Sequence, residues 1–138
     1  MESPWALHPQ LAADTVPVGD LLLSRVLLAN DDNYPWLILV PRRPALVELT
    51  DLDDAAQREL LGEINTAARA LKAITSCDKL NIAALGNQVA QLHVHVIARF
   101  RSDAAWPKPV WGAAPPLAHT PEKRAALVAT MRQRLGIG

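Results

Sequence analysis

The chain has 138 residues, enough for one domain (1–138) with a real core, and its 14 basic and 14 acidic side chains cancel. A net charge of zero leaves no field of one sign to gather a long nucleic acid or an anionic membrane surface, whereas a small anionic ligand needs only a few local donors. The single cysteine, Cys77, excludes an internal disulfide, Met1-Glu2-Ser3-Pro4 lacks a signal-peptide pattern, and no apolar run approaches the roughly 20 residues of a membrane span, so a cytoplasmic protein is expected.

In chain order, the first 19 residues read as irregular, with one short helix near Pro9 to Ala13. Leu21 to Ala29, bounded by Gly19-Asp20 and Asn30-Asp31-Asp32-Asn33, reads as a strand. Trp36 to Val40 is a second apolar run closed by Pro41, and a turn through Asn30 to Pro35 joins the two as an antiparallel hairpin. Thr50-Asp51-Leu52-Asp53 opens a helix: Thr50 can accept from first-turn N–H groups, and Asp51, Asp53 and Asp54 suit the positive helix end. Leu60, Leu61, Ile64, Ala68, Leu71 and Ile74 then recur at helical spacing to about Thr75. Lys79 to Leu85 reads as a third strand, Gly86-Asn87 as a turn and Gln91 to Phe100 as a fourth strand. A proline- and tryptophan-rich loop runs from Trp106 to Leu117, and Thr120-Pro121-Glu122 starts a last helix that Gly136 ends. Strands, helix, strands, helix, with hairpin connections, predict an α+β fold in which the long helix covers an antiparallel sheet.

The chemistry concentrates in Gln91-Leu92-His93-Val94-His95-Val96-Ile97-Ala98-Arg99-Phe100. Side chains alternate along a strand, so Gln91, His93 and His95 share one face and Leu92, Val94 and Val96 the other. Successive same-face imidazoles then lie about 6.5–7 Å apart. Three readings stand at this point. Both histidines decorate a solvated sheet face; or they are two ligands of a metal, which needs a third that His8 and His119 are poorly placed to supply; or they perform nucleophilic or acid–base chemistry, for which neutral imidazole is competent near neutral pH.

Gln91 through Ile97 resembles the histidine-triad (HIT) signature His-φ-His-φ-His-φ-φ, with φ apolar. Gly86-Asn87-Gln88-Val89 looks like the Gly-Gln-x-Val turn that precedes it, and Arg99 fits two residues beyond. The resemblance spans a motif-bearing core of about 20–101. In the remainder, 102–138, Ala105-Trp106-Pro107-Lys108-Pro109-Val110-Trp111-Gly112 looks like a tail of bacterial members without an assigned substrate. The resemblance implies a five-stranded antiparallel sheet with one long helix after the first hairpin and a C-terminal helix, and a homodimer. It also implies a nucleotide-type small-molecule ligand, with no cofactor and no metal. His93 takes the position of the histidine that attacks phosphorus, His95 that of a donor to a phosphate oxygen, and Gln91 stands where the first triad histidine is expected. Asn87, Gln88, Val89 and Arg99 match phosphate-side positions, and Asn30 matches a position near the ribose. The implied activity is hydrolysis or nucleotidyl transfer at a phosphoanhydride or phosphoramidate through a nucleotidyl-histidine. The alternatives are a nucleotide-binding protein with little turnover, a metal-dependent enzyme using the His-x-His pair, and an interaction module. Taken by themselves, Arg42, Arg43 and His119 read as solvated, Cys77 as a small core residue, and Trp106 and Trp111 as packing groups.

Overall fold

A computed structural model describes residues 4–137. Its elements are α1 (Pro9–Asp14), β1 (Thr15–Asp20), β2 (Ser24–Ala29), β3 (Trp36–Pro41), α2 (Asp54–Thr75), β4 (Lys79–Ala83), β5 (Val94–Arg99) and α3 (Pro121–Leu135). The five strands form one antiparallel sheet in the order β1-β2-β3-β5-β4, so the α+β expectation holds.

Several boundaries differ from the sequence reading, among them the strand read from Lys79 to Leu85, which ends at Ala83. The stretch expected to be irregular before residue 20 contains β1, an edge strand whose pairing with β2 shifts between Pro17 and Gly19. Proline and glycine weaken the strand pattern, and an edge strand tolerates both. A Cβ at Gly19 would come within 2.8 Å of Ile137 Cδ1, so the Ile137 side chain would have to shift to admit one. The strand read from Leu21 begins only at Ser24. Helix α2 is capped by the Asp53 side chain, which accepts from the Ala56 N–H, while Thr50 lies in a preceding 3-10 turn. Finally, β5 begins at Val94, so Gln91 and His93 lie in the loop that enters the strand.

The main core lies between one sheet face and the helices. Val26, Leu28, Leu37, Leu39, Val94 and Val96 pack there with Leu60, Ile64, Ala67 and Leu71 of α2. Leu61, expected on the buried stripe, is exposed. A buried carboxylate fastens α2 to the sheet: the Glu63 oxygens accept from the N–H groups of Leu23 and Ser24 at 2.8 and 2.9 Å. The opposite sheet face is covered in two patches. Trp5, Leu7 and Leu11 of the N-terminal segment pack on Leu27, Ile38 and Val40. Ala105 and Val110, from the loop after β5, pack with Tyr34 and Ile97. Between the two patches this face opens into a cleft.

Candidate active site

The cleft has a volume of about 590 Å³ and receives Asn30 from the end of β2, Trp36 and Ile38 from β3, and Asn87, Gln88 and Val89 from the β4–β5 loop. His93 and His95 stand in its wall, with Trp111 of the loop after β5 and Asp14 and Asp31 beside them. Six of the eight expected site residues therefore meet in one place; Gln91 and Arg99 do not line it. A second, smaller cleft of about 160 Å³ lies beside His93, lined by Val47, Leu49, Leu85 and Gln91 among others.

The two histidines are buried rather than solvated, at 7% and 6% exposure, and their rings are 4.9 Å apart between centroids. His93 Nδ1 lies 2.7 Å from the main-chain oxygen of Gln91. A carbonyl oxygen only accepts, so Nδ1 carries a proton, and in the neutral ring Nε2 has the lone pair. His95 Nδ1 accepts from the Trp36 indole N–H at 3.0 Å. Its neutral ring therefore carries the proton on Nε2. Burial, with the neighbouring His93, pushes the His95 pKa down to about 4, so the ring is neutral near pH 7. Trp36 and Trp111 flank it at 5.6 and 5.0 Å between ring centroids.

The Gln91 side chain does not reach either histidine. Its amide brackets the N-terminal segment, donating to the Ala6 carbonyl at 2.9 Å and accepting from the His8 N–H at 2.8 Å. Arg99 is buried at 2% exposure and four of its five N–H donors are engaged: it pairs with both Asp103 oxygens and donates to Asn81 Oδ1 and the Lys108 carbonyl. It shares the sheet face of His95, but it organises the loop after β5 and does not contact the cleft. His119, read as solvent-facing, is buried because it backs Asn30, with its N–H and Nδ1 within 3.2 and 3.3 Å of Asn30 Oδ1. Arg42 serves the fold, donating to the carbonyls of Leu21 and Leu22. Cys77 is buried, as expected.

Sequence reading missed Trp36 as a partner of His95, His119 as a support for Asn30, and the wall contributed by α1 and Asp14. Trp36 pairs with Ile97 across β3 and β5, which makes it the diagonal neighbour of His95 on one face. The alternation of Trp36 and Ile38 held that signal, but the pairing of β3 with β5 is not visible in the chain order. Among the described residues, no group of three or more His, Cys, Asp or Glu could hold a metal ion.

An antiparallel sheet whose fifth strand opens on a His-x-His pair facing a cleft defines a histidine-triad architecture. The chain belongs to the HIT domain family, whose model matches residues 10–102. It is 56% identical to a histidine triad protein from Bradyrhizobium japonicum, covering 96% of this chain and 99% of that one at a TM-score of 0.94. It is 42% identical to a histidine triad protein from Marinobacter aquaeolei VT8, covering 97% and 98% of the two chains at a TM-score of 0.94. A histidine triad protein from Sinorhizobium meliloti 1021 is also 42% identical, covering 94% and 96% at a TM-score of 0.92. No curated protein matches the chain.

Proposed function

We propose that this chain is a nucleotide hydrolase or nucleotidyl transferase that cleaves a phosphoanhydride or phosphoramidate bond through a covalent nucleotidyl-His93 intermediate. The observation that carries the reading is the tautomer of His93, fixed by the 2.7 Å contact of Nδ1 with the Gln91 carbonyl. A histidine held this way presents an Nε2 lone pair as nucleophile, and the carbonyl stabilises the charge that the ring gains on attack. Nε2 forms a bond to the α-phosphorus, and the leaving group departs with the electron pair of its P–O or P–N bond. Water or another acceptor then attacks phosphorus and releases a proton to solvent, the P–N bond to His93 breaks, and its pair returns to Nε2. The Nε2–H of His95 donates to a phosphoryl oxygen as negative charge gathers there.

In this reading Gln91 stands at the first triad position, and its contribution is its main-chain oxygen together with the bracket on the N-terminal segment. Asn87, Gln88 and Val89 meet the phosphate side, and Asn30, held by His119, meets the sugar side. Arg99 is assigned no ligand contact, since four of its five N–H donors are engaged within the fold and it does not line the cleft. We also assign a homodimer as the working form. A binding protein with little turnover is the second reading, and the Gln91 amide favours it: a side chain tied to main-chain groups of Ala6 and His8 cannot shuttle a proton.

Intact-protein mass spectrometry after brief mixing with an adenosine phosphoramidate or a diadenosine polyphosphate, with acid avoided, decides between the two. A mass gain of one nucleotidyl group, absent from His93→Ala, is expected. Saturable nucleotide binding with neither adduct nor product would put the binding protein in place of the enzyme.

A further inference from the structure

The His95 ring is held from a side that the phosphoryl chemistry does not use. An indole N–H can only donate, so the 3.0 Å contact from Trp36 Nε1 requires an unprotonated Nδ1 on His95. The single proton of the neutral ring is then on Nε2. A second proton would have to enter at Nδ1, where it would point at another N–H. The rest of the surroundings offers that second proton no counter-charge. His93 is the titratable group in contact with the ring, and a positive charge there repels one on His95. Trp111 closes another side, 5.0 Å away between ring centroids, and the paired positions on β3 and β4 are Ile38 and Ala83. Asp14 and Asp31 lie on the wall of the same cleft, and neither hydrogen-bonds His95.

We propose that Trp36 is a positioning residue: its indole N–H fixes His95 as the Nε2–H tautomer, making His95 a permanent hydrogen-bond donor to the phosphoryl group and not the acid that protonates the leaving group. This rests on the reading of His93 as nucleophile. The leaving group takes the electron pair of its bond to phosphorus and gains its proton from solvent water, while His95 keeps its own proton throughout. Trp36 therefore removes the choice between two tautomers that an unsupported neutral imidazole would have, one of which presents a lone pair to an incoming phosphate.

Nitrogen-15 NMR of the labelled full chain reads the tautomer directly and needs no turnover. In wild type, His95 Nδ1 is expected to show the shift of an unprotonated ring nitrogen and Nε2 that of a protonated one, unchanged from about pH 8 to about pH 5. In Trp36→Phe, which keeps a ring in the wall and deletes the N–H, the two shifts should move toward each other as tautomers mix, and the protonation midpoint should rise. The rate of nucleotidyl-His93 formation should fall about 10-fold, less than the roughly 10²–10³-fold expected on removing the donor itself in His95→Ala. A protonated Nδ1 in wild type overturns the proposal, even if Trp36→Phe does not fold. So do unchanged shifts in a folded Trp36→Phe. A fixed Nε2–H tautomer in a chain that forms no His93 adduct supports the role of Trp36 in holding the ring and overturns the catalytic reading instead.

Discussion

His93 and His95 are the same residue type two positions apart, yet the atoms they touch assign them opposite tautomers. A carbonyl accepts from the Nδ1–H of one, and an indole N–H excludes a proton from Nδ1 of the other. The sequence identified both residues, because His-x-His before an apolar strand is a rare local pattern. It did not show their environments, because Trp36 comes from a strand distant in the chain. The shared face also failed in part, since His93 precedes β5 and its position follows the loop rather than the pleat. The His95 environment has a consequence for stability. Its pKa in the folded chain is about 4, against an ordinary value of 6.5. Between those values the unfolded chain binds the proton and the folded chain does not. Stability therefore falls as pH drops through that window, by up to about 3 kcal/mol, and is unaffected by His95 above it. Burial pushes His119 in the same direction and adds to the slope. Urea midpoints at about pH 7 and about pH 4.5 should show wild type losing more stability on acidification than His95→Gln. Equal losses in the two proteins would contradict the buried, neutral ring.

Among the elements, α2 was the most legible, since its apolar repeat is a local signal, although its cap is Asp53 and not Thr50. The loop after β5 was the least. It contains no repeating pattern, and its start is anchored by a buried ion pair. Burial alone would raise the Asp103 pKa, but the Arg99 guanidinium and the N–H groups of Phe100, Ala105 and Trp106 outweigh it and hold the carboxyl at about 2. The Arg99 side also reaches Asn81 on β4 and the Lys108 carbonyl, so one cation joins β4, β5 and the loop. That is why Arg99, in the right place for the signature, is absent from the cleft. The loop in turn delivers Trp111 to His95. Asp103→Asn leaves a buried guanidinium without its counter-charge and should cost about 3–5 kcal/mol. Chemical denaturation gives that figure. Quenching of tryptophan fluorescence by acrylamide gives the second half of the expectation, a more accessible Trp111. A variant within about 0.5 kcal/mol of wild type would mean that the loop is held by its apolar contacts alone.

At the scale of the whole molecule, the strand order β1-β2-β3-β5-β4 leaves β1 and β4 at the sheet edges. The C-terminal end shields β1, with Ile137 against Gly19 and Arg132 donating to the Val18 carbonyl. Beside β4 the surface is apolar: Val47, Leu49, Ile82 and Leu85 are each between 45% and 49% exposed. An open strand edge with apolar neighbours is a template for pairing with another strand, and proteins that stay monomeric usually guard it with charge. The homodimer proposed above would therefore form along β4, joining two sheets into one and covering Ile82. Sequence composition alone made a partner surface plausible without locating it, because which strand ends a sheet depends on non-local pairing. Sedimentation equilibrium at tens of micromolar is expected to give twice the 15.0 kDa of the chain. Ile82→Lys places a charge on the edge outside both clefts and should shift the protein to the single-chain mass, with the His93 tautomer unchanged by NMR. A wild-type monomer at that concentration would remove the dimer. A dimer indifferent to Ile82→Lys would move its interface away from β4, and the exposed apolar edge would then need another occupant.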